Sequence, residues 1–101
     1  MNIADEMAGF EIGKGWYPLV KELMEELKKA GWNGDIRQVK EKFGGLRFYI
    51  GEGSEEIWAI IEKYERKSYT ICEVCGEPGK PREGGWIKTL CDKHSREREQ
   101  R

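Results

Sequence analysis

The residues of this chain best suited to chemistry are Cys72-Glu-Val-Cys75 and, after a spacer of 15 residues, Cys91-Asp-Lys-His94. They include all the cysteine and the only histidine of the 101-residue sequence. A C-x2-C pair followed at this distance by a C-x2-H pair is the ligand spacing of structural zinc sites. Zinc takes four tetrahedral ligands, so Cys72, Cys75, Cys91 and His94 close the site to water. Two other readings stand beside this one. Without His94, three thiolates leave a position for water, with Glu73, Glu77 and Asp92 nearby. Or the cysteines are unrelated thiols of a reduced protein. The closed site leaves no thiol and no imidazole for a nucleophile, a general base or a disulfide. The expectation is therefore a binder with a structural Zn2+ and no catalytic residue.

Composition sets the bounds around that site. A chain of this length forms one domain, or a small domain with a metal-held annex. Apolar residues make up 38% and charged ones 37%, with four Trp and four Tyr. An odd number of cysteines argues against a disulfide framework and for a reducing compartment. No basic-then-apolar leader and no long apolar run is present, which predicts a soluble cytoplasmic protein with no membrane partner. The net charge of −1 hides an asymmetry. Residues 1–62 carry 8 Lys/Arg against 12 Asp/Glu, and residues 63–101 carry 10 against 7. Zinc held by three thiolates removes about one of those positive charges. Such a balance is not that of a strongly basic nucleic-acid binder.

The elements that must position the four ligands are readable in turn. Residues 1–15 show no period and are expected to pack locally or fray. Pro18 opens a predicted helix over 18–30, where its missing N–H costs nothing. Leu19, Val20, Leu23, Met24, Leu27 and Ala30 share one face of it. Gly31 and Trp32 fit a Schellman end, with Trp32 touching Leu27. Trp32-Asn-Gly-Asp35 is a turn. Residues 36–50 read as a hairpin around Gly44-Gly45, pairing Lys42 with Arg47 and Glu41 with Phe48. That register puts Val39, Phe43, Leu46, Phe48 and Ile50 on the core face. Ser54 caps a second helix over 55–68, with Ile57, Ile60, Ile61 and Tyr64 as its apolar stripe. Gly79 to Arg82 and Trp86 to Leu90 fit short strands around Glu83-Gly84-Gly85. Residues 91–101 are helical in composition, which places Cys91 and His94 in a first turn that favours a thiolate. The fold class is thus α+β: an α-β-β-α domain at 16–69 joined to a zinc module at 70–101.

A knuckle, a short hairpin and a helix whose first turn carries the second ligand pair resemble a treble-clef zinc finger, over residues 70–101. The resemblance implies that Cys72 and Cys75 come from the knuckle and Cys91 and His94 from the helix. HNH nucleases share this scaffold but need further His or Asn residues for a catalytic metal. His94 stands alone here, so the nuclease reading fails. The runs KEKFGGLRFY at 40–49 and CEVCG…GGWIKTLCDKH also resemble small proteins encoded in phage and bacterial genomes. That likeness implies a bacterial or phage origin and no particular activity.

Candidate binding residues lie on the outward face of the hairpin. Gln38, Lys40, Lys42, Arg47 and Tyr49 project together, and Lys42 opposite Arg47 places like charges side by side. Lys40, Lys42, Arg47 and Tyr49 are expected to meet a phosphate backbone or an acidic protein surface. The plainer alternative is a solvated strand face that deters edge pairing. Glu41 faces the core in this register, explained by a salt bridge to a lysine or by an edge open to water. Trp86, near Arg82 and Lys88, is either a stacking platform or the residue that packs the zinc module onto the second helix. The reading is a non-enzymatic regulatory or adaptor protein that binds another protein, such as a phage-encoded modulator of a host enzyme. A nucleic-acid binder using the basic hairpin face is the alternative, and no small-molecule substrate is expected.

Overall fold

An amphipathic repeat builds the first helix. The computed structural model describes residues 9–99, so residues 1–8 of the predicted 1–15 lead-in and the last two residues of the predicted terminal helix lie outside the described residues. Helix α1 spans Tyr17–Lys29 and is entered through a 3-10 turn at Lys14–Trp16. It begins one residue ahead of Pro18, which sits in the first turn where no N–H is required. Leu19, Val20, Leu23 and Leu27 are buried along one side. The expected Schellman end is present. Gly31 N–H donates to Lys28 C=O at 3.1 Å and Trp32 N–H to Leu27 C=O at 2.9 Å. Asn33 Oδ1 then accepts the Asp35 N–H at 2.9 Å and turns the chain into the hairpin.

Strands β1 (Ile36–Lys42) and β2 (Gly45–Ile50) pair antiparallel, with each β1 residue two positions away from its predicted partner, a shift that keeps the two faces. Lys42 pairs with Gly45, Glu41 with Leu46, Lys40 with Arg47 and Val39 with Phe48. The turn is Phe43-Gly44, with φ of 54° and 83°. Both values are positive, as a type I′ connection requires. Two expectations are corrected. Phe43 is not on the core face but 65% exposed at the tip. Arg47 stands opposite Lys40, not Lys42.

The reason is tertiary. Gly44 C=O accepts the Thr89 hydroxyl at 2.6 Å, and Gly44 N–H donates to Glu41 Oε2 at 2.8 Å. Gly45 lies flat against the Tyr69 ring, where an added Cβ would come within 2.9 Å of Tyr69 Cε1. These contacts hold the turn one residue earlier, although a bulky side chain at positive φ costs about 1–2 kcal/mol.

Both hairpin edges are occupied near the tip. Glu11 makes a one-residue parallel bridge beside Lys40, donating its N–H to Val39 C=O at 2.9 Å and accepting the Glu41 N–H at 3.1 Å. On the other edge, Leu46 N–H donates to Ser68 Oγ at 2.9 Å and Phe48 N–H to Glu65 Oε2 at 3.0 Å. Side chains of a helix thus stand where a third strand would pair.

That helix, α2, spans Glu55–Ser68 and starts where predicted, with Ser54 Oγ accepting the Ile57 N–H at 3.2 Å. Ile57, Ile61 and Tyr64 enter a single core with Trp16, the α1 stripe and the hairpin's Val39, Leu46, Phe48 and Ile50. Trp32 meets Phe48 edge-on at 6.0 Å. Glu26 on α1 accepts Lys63 Nζ at 3.1 Å and the Tyr64 hydroxyl from α2. Burial and the Glu26 carboxylate push the Tyr64 hydroxyl well above the usual tyrosine range. The same hydroxyl, with Lys63, lowers Glu26.

The C-terminal part consists of β3 (Lys80–Arg82) and β4 (Lys88–Leu90), paired antiparallel, followed by helix α3 (Asp92–Glu99). The class is α+β, with the Cys/His cluster in this last part. Among the described residues, no helix is long and apolar enough to cross a membrane.

Candidate metal centre

Three short segments bring the four ligand residues together. The knuckle at 72–76 closes through Gly76 N–H to Cys72 C=O at 2.9 Å, and Cys72 N–H reaches Glu77 C=O at 2.8 Å. At the start of α3, Ser95 N–H bonds to Cys91 C=O at 2.9 Å. Cys91 therefore occupies the N-cap position, and His94 follows in the first turn. Arg82 ties the β3–β4 hairpin to this helix, donating Nε to Leu90 C=O at 3.2 Å and Nη2 to Asp92 Oδ1 at 2.7 Å. The Arg82 bond also holds the Asp92 carboxyl below its ordinary value.

The Sγ atoms of Cys72, Cys75 and Cys91 and a ring nitrogen of His94 all lie within 4.8 Å of one another. Tetrahedral zinc has bonds of about 2.3 Å to sulfur and 2.0 Å to nitrogen, which set ligand edges of about 3.8 Å between sulfurs and 3.5 Å between sulfur and nitrogen. Cys75 Sγ lies 3.8 Å from Cys91 Sγ, and His94 Nδ1 lies 3.6 Å from Cys72 Sγ and 3.2 Å from Cys91 Sγ. The cluster fits one tetrahedral ion. Its soft thiolates are the donors of zinc, not of calcium or magnesium. Nδ1 is the inward nitrogen, while Nε2 faces Glu97 Oε2 at 3.7 Å, a carboxylate positioned to orient the ring.

The local field favours thiolates at two of the three sulfurs. Burial resists ionisation of Cys72, but the backbone N–H groups of Cys91, Cys75 and Val74 outweigh it and lower the thiol. The His94 N–H lowers Cys91. At Cys75 the Glu77 N–H pulls downward, yet burial and the neighbouring sulfurs raise it overall. A cation among the three removes that mutual repulsion.

Residues 13–16 pack on this centre. Gly15 N–H donates to Glu73 C=O at 2.8 Å, Gly13 N–H to Glu73 Oε2 at 2.9 Å, and Trp16 Nε1 to Ile71 C=O at 2.9 Å. A side chain at Gly15 would press on Cys72 C=O and come within 2.6 Å of Gly76 N, so glycine is required by this approach. Lys88 sits between two carboxylates, 2.9 Å from Glu41 Oε1 and 3.5 Å from Glu73 Oε1. The salt bridge expected of Glu41 is therefore made, beside Leu46 instead of Phe48. It joins the hairpin, the knuckle and β4.

The predicted binding residues divide into two places. Lys40, Lys42, Arg47 and Tyr49 keep their shared outward face despite the register change. Lys40 lies 5.9 Å from the Tyr49 ring centre, and Arg47 Nη2 donates to the Tyr69 hydroxyl at 3.3 Å. Trp86 is 68% exposed in the Gly84-Gly85 loop, so it does not pack the module onto α2. Docking is done instead by Thr89, Lys88 and Glu73. Sequence reasoning missed Phe43 as a surface residue and missed Glu73 and Lys88 as connectors. Only the Phe-Gly step offered a local signal, since type I′ turns favour glycine second.

Comparison with protein-family models, with curated proteins and with solved structures finds no match for the chain.

Proposed function

We propose that this chain is a non-enzymatic binding protein whose Cys3His centre holds a structural zinc ion and whose target is another protein. One observation carries the reading: the only thiols and the only imidazole converge on a single four-atom cluster. Four protein ligands leave zinc no position for water, so the ion would supply rigidity and no Lewis-acid chemistry. It would fix Cys72, Cys75, Cys91 and His94 in place, and with them the surface that Glu73 and Lys88 attach to the hairpin. The exposed aromatics Phe43, Tyr49 and Trp86 support a protein target, since such residues anchor interfaces. A phage or bacterial modulator of a host protein is the setting this implies, following the resemblance of its motifs.

X-ray absorption on the purified protein tests the zinc. The expected result is one ion with three sulfur ligands at about 2.3 Å and one nitrogen at about 2.0 Å. A water oxygen in place of nitrogen would reopen the catalytic reading. Capture from bacterial lysate, with and without nuclease, tests the target. The expected result is a defined protein retained after nuclease.

Nucleic acid is the second reading, favoured by Lys40, Lys42 and Arg47, which enter no ion pair among the described residues. Phosphate contacts would make affinity fall steeply with salt.

A further inference from the structure

The hairpin tip and the loop before β4 stand side by side. Between them lies a groove of about 410 Å³ lined by Glu41, Lys42, Phe43, Gly85, Trp86 and Ile87. Phe43 and Trp86 border it, 65% and 68% exposed. Neither belongs to the core. Phe43 also holds a backbone conformation that Asn or Gly adopts more easily, so the turn is less stable for carrying a phenyl ring. Each ring has an ammonium against it, Lys42 at 5.5 Å from Phe43 and Lys88 at 5.8 Å from Trp86.

The groove's lining carries one acid and one base, Glu41 and Lys42. Glu41 and Glu73 are turned inward and held by Lys88. Lys42, Arg47 and Lys40 continue along the outer hairpin face without ion-pair partners among the described residues. Glu11 stands beside Lys40 at its register position, away from the tip. Backbone pairing is closed to a visitor near the tip, because Glu11 takes one edge and Ser68 and Glu65 take the other. Recognition there falls to side chains.

We propose that this groove docks a segment of a partner protein that presents an apolar side chain flanked by carboxylates. The proposal rests on the protein-binding reading above. The apolar side chain seats between Phe43 and Trp86, and its neighbouring carboxylates meet Lys42, Arg47 and Lys40. Apolar anchors with a complementary charged rim are the usual division of labour at an interface.

The test pans a random displayed peptide library against the zinc-loaded protein and measures selected peptides by fluorescence anisotropy. A fluorescein-labelled oligothymidylate is titrated in parallel. The variants are Phe43→Asn, Trp86→Ala and the double Lys42→Glu/Arg47→Glu. Selected peptides should pair acidic residues with an aromatic or aliphatic one. Phe43→Asn and Trp86→Ala should each weaken them about tenfold or more. Phe43→Asn should do so while its Tm holds or rises, a result that a structural role for the phenyl does not give. The double charge reversal should weaken them and invert the sign of their salt dependence.

Peptides that are enriched but basic, or indifferent to Phe43→Asn and Trp86→Ala, would overturn the groove and leave the protein-binding reading standing on another surface. No enrichment overturns the proposal. Oligothymidylate binding that is lost in the same variants would replace the partner class with single-stranded nucleic acid. Combined with no enriched peptide, it would end the protein-binding reading too.

Discussion

Residues 16–64 gather thirteen buried apolar side chains into one cluster, whereas residues 70–95 bury only Cys72 and Leu90, beside the polar Glu73, Thr89 and Ser95. The first region has an apolar core of its own to offset the entropy of ordering the chain. The second has little apolar burial, and in its place stand a Cys/His cluster able to hold a metal ion and docking to the first. One chain thus uses two different sources of order, joined at Gly13–Trp16, Gly44 and Lys88.

The largest test of this contrast is removal of the metal. Structural zinc contributes about 10–16 kcal/mol of apparent binding free energy. Chelation, or Cys72→Ser, should therefore abolish amide protection across 70–99 in hydrogen exchange, and weaken it at Gly15, while α1 and α2 stay protected. Loss of α1 and α2 together with the module would mean that the two regions fold as one. The converse perturbation is Leu23→Ala in the core. It should cost about 2–5 kcal/mol in urea unfolding and leave zinc stoichiometry at low denaturant unchanged.

Lys88→Met probes the joint and should cost about 2 kcal/mol, because Glu41 and Glu73 are left without their cation. Adding Glu41→Gln should recover part of the loss, a coupling readable in a double-mutant cycle. The pH dependence has a definite sign. Burial resists charging of Lys88, but the Glu41 and Glu73 carboxylates overcome it and raise the amine. Its contribution is therefore full below the unfolded lysine value of about 10.4 and lost as pH climbs past the raised folded value. Wild type and Lys88→Met should converge only in that alkaline window. The smallest effect is Ser54→Ala, about 1 kcal/mol, confined to the N-terminal turn of α2.

Local chemistry was legible in the sequence, and long-range closure was not. The α1 stripe, its Gly31–Trp32 end, the Ser54 cap and the Cys/His spacing each depend on residues a few positions apart. The hairpin register escaped because Phe43, Gly44 and Gly45 permit two turns. The choice between them is made by Tyr69 and Thr89, far along the chain. The bonds from Gly13 to Glu73 and from Trp16 to Ile71 span 60 and 55 residues, with no periodicity to announce them. For the same reason Lys88 read as an ordinary basic residue of a short strand. The ligand set was complete in the sequence, while the surface that zinc would steady was not.

The docking of Gly15 on the knuckle has a consequence for the order of events during synthesis. Chains leave the ribosome from the first residue onward, and structured units form as they emerge. Residues 13–16 are made early, yet the carbonyls and carboxylate that receive them belong to Ile71 and Glu73. Two of the four ligands, Cys91 and His94, come later still. The helix–hairpin core can therefore assemble first, with its leading segment waiting beside it. Capture of a metal ion by the completed cluster would then be the event that closes the molecule, drawing an early segment onto a late one.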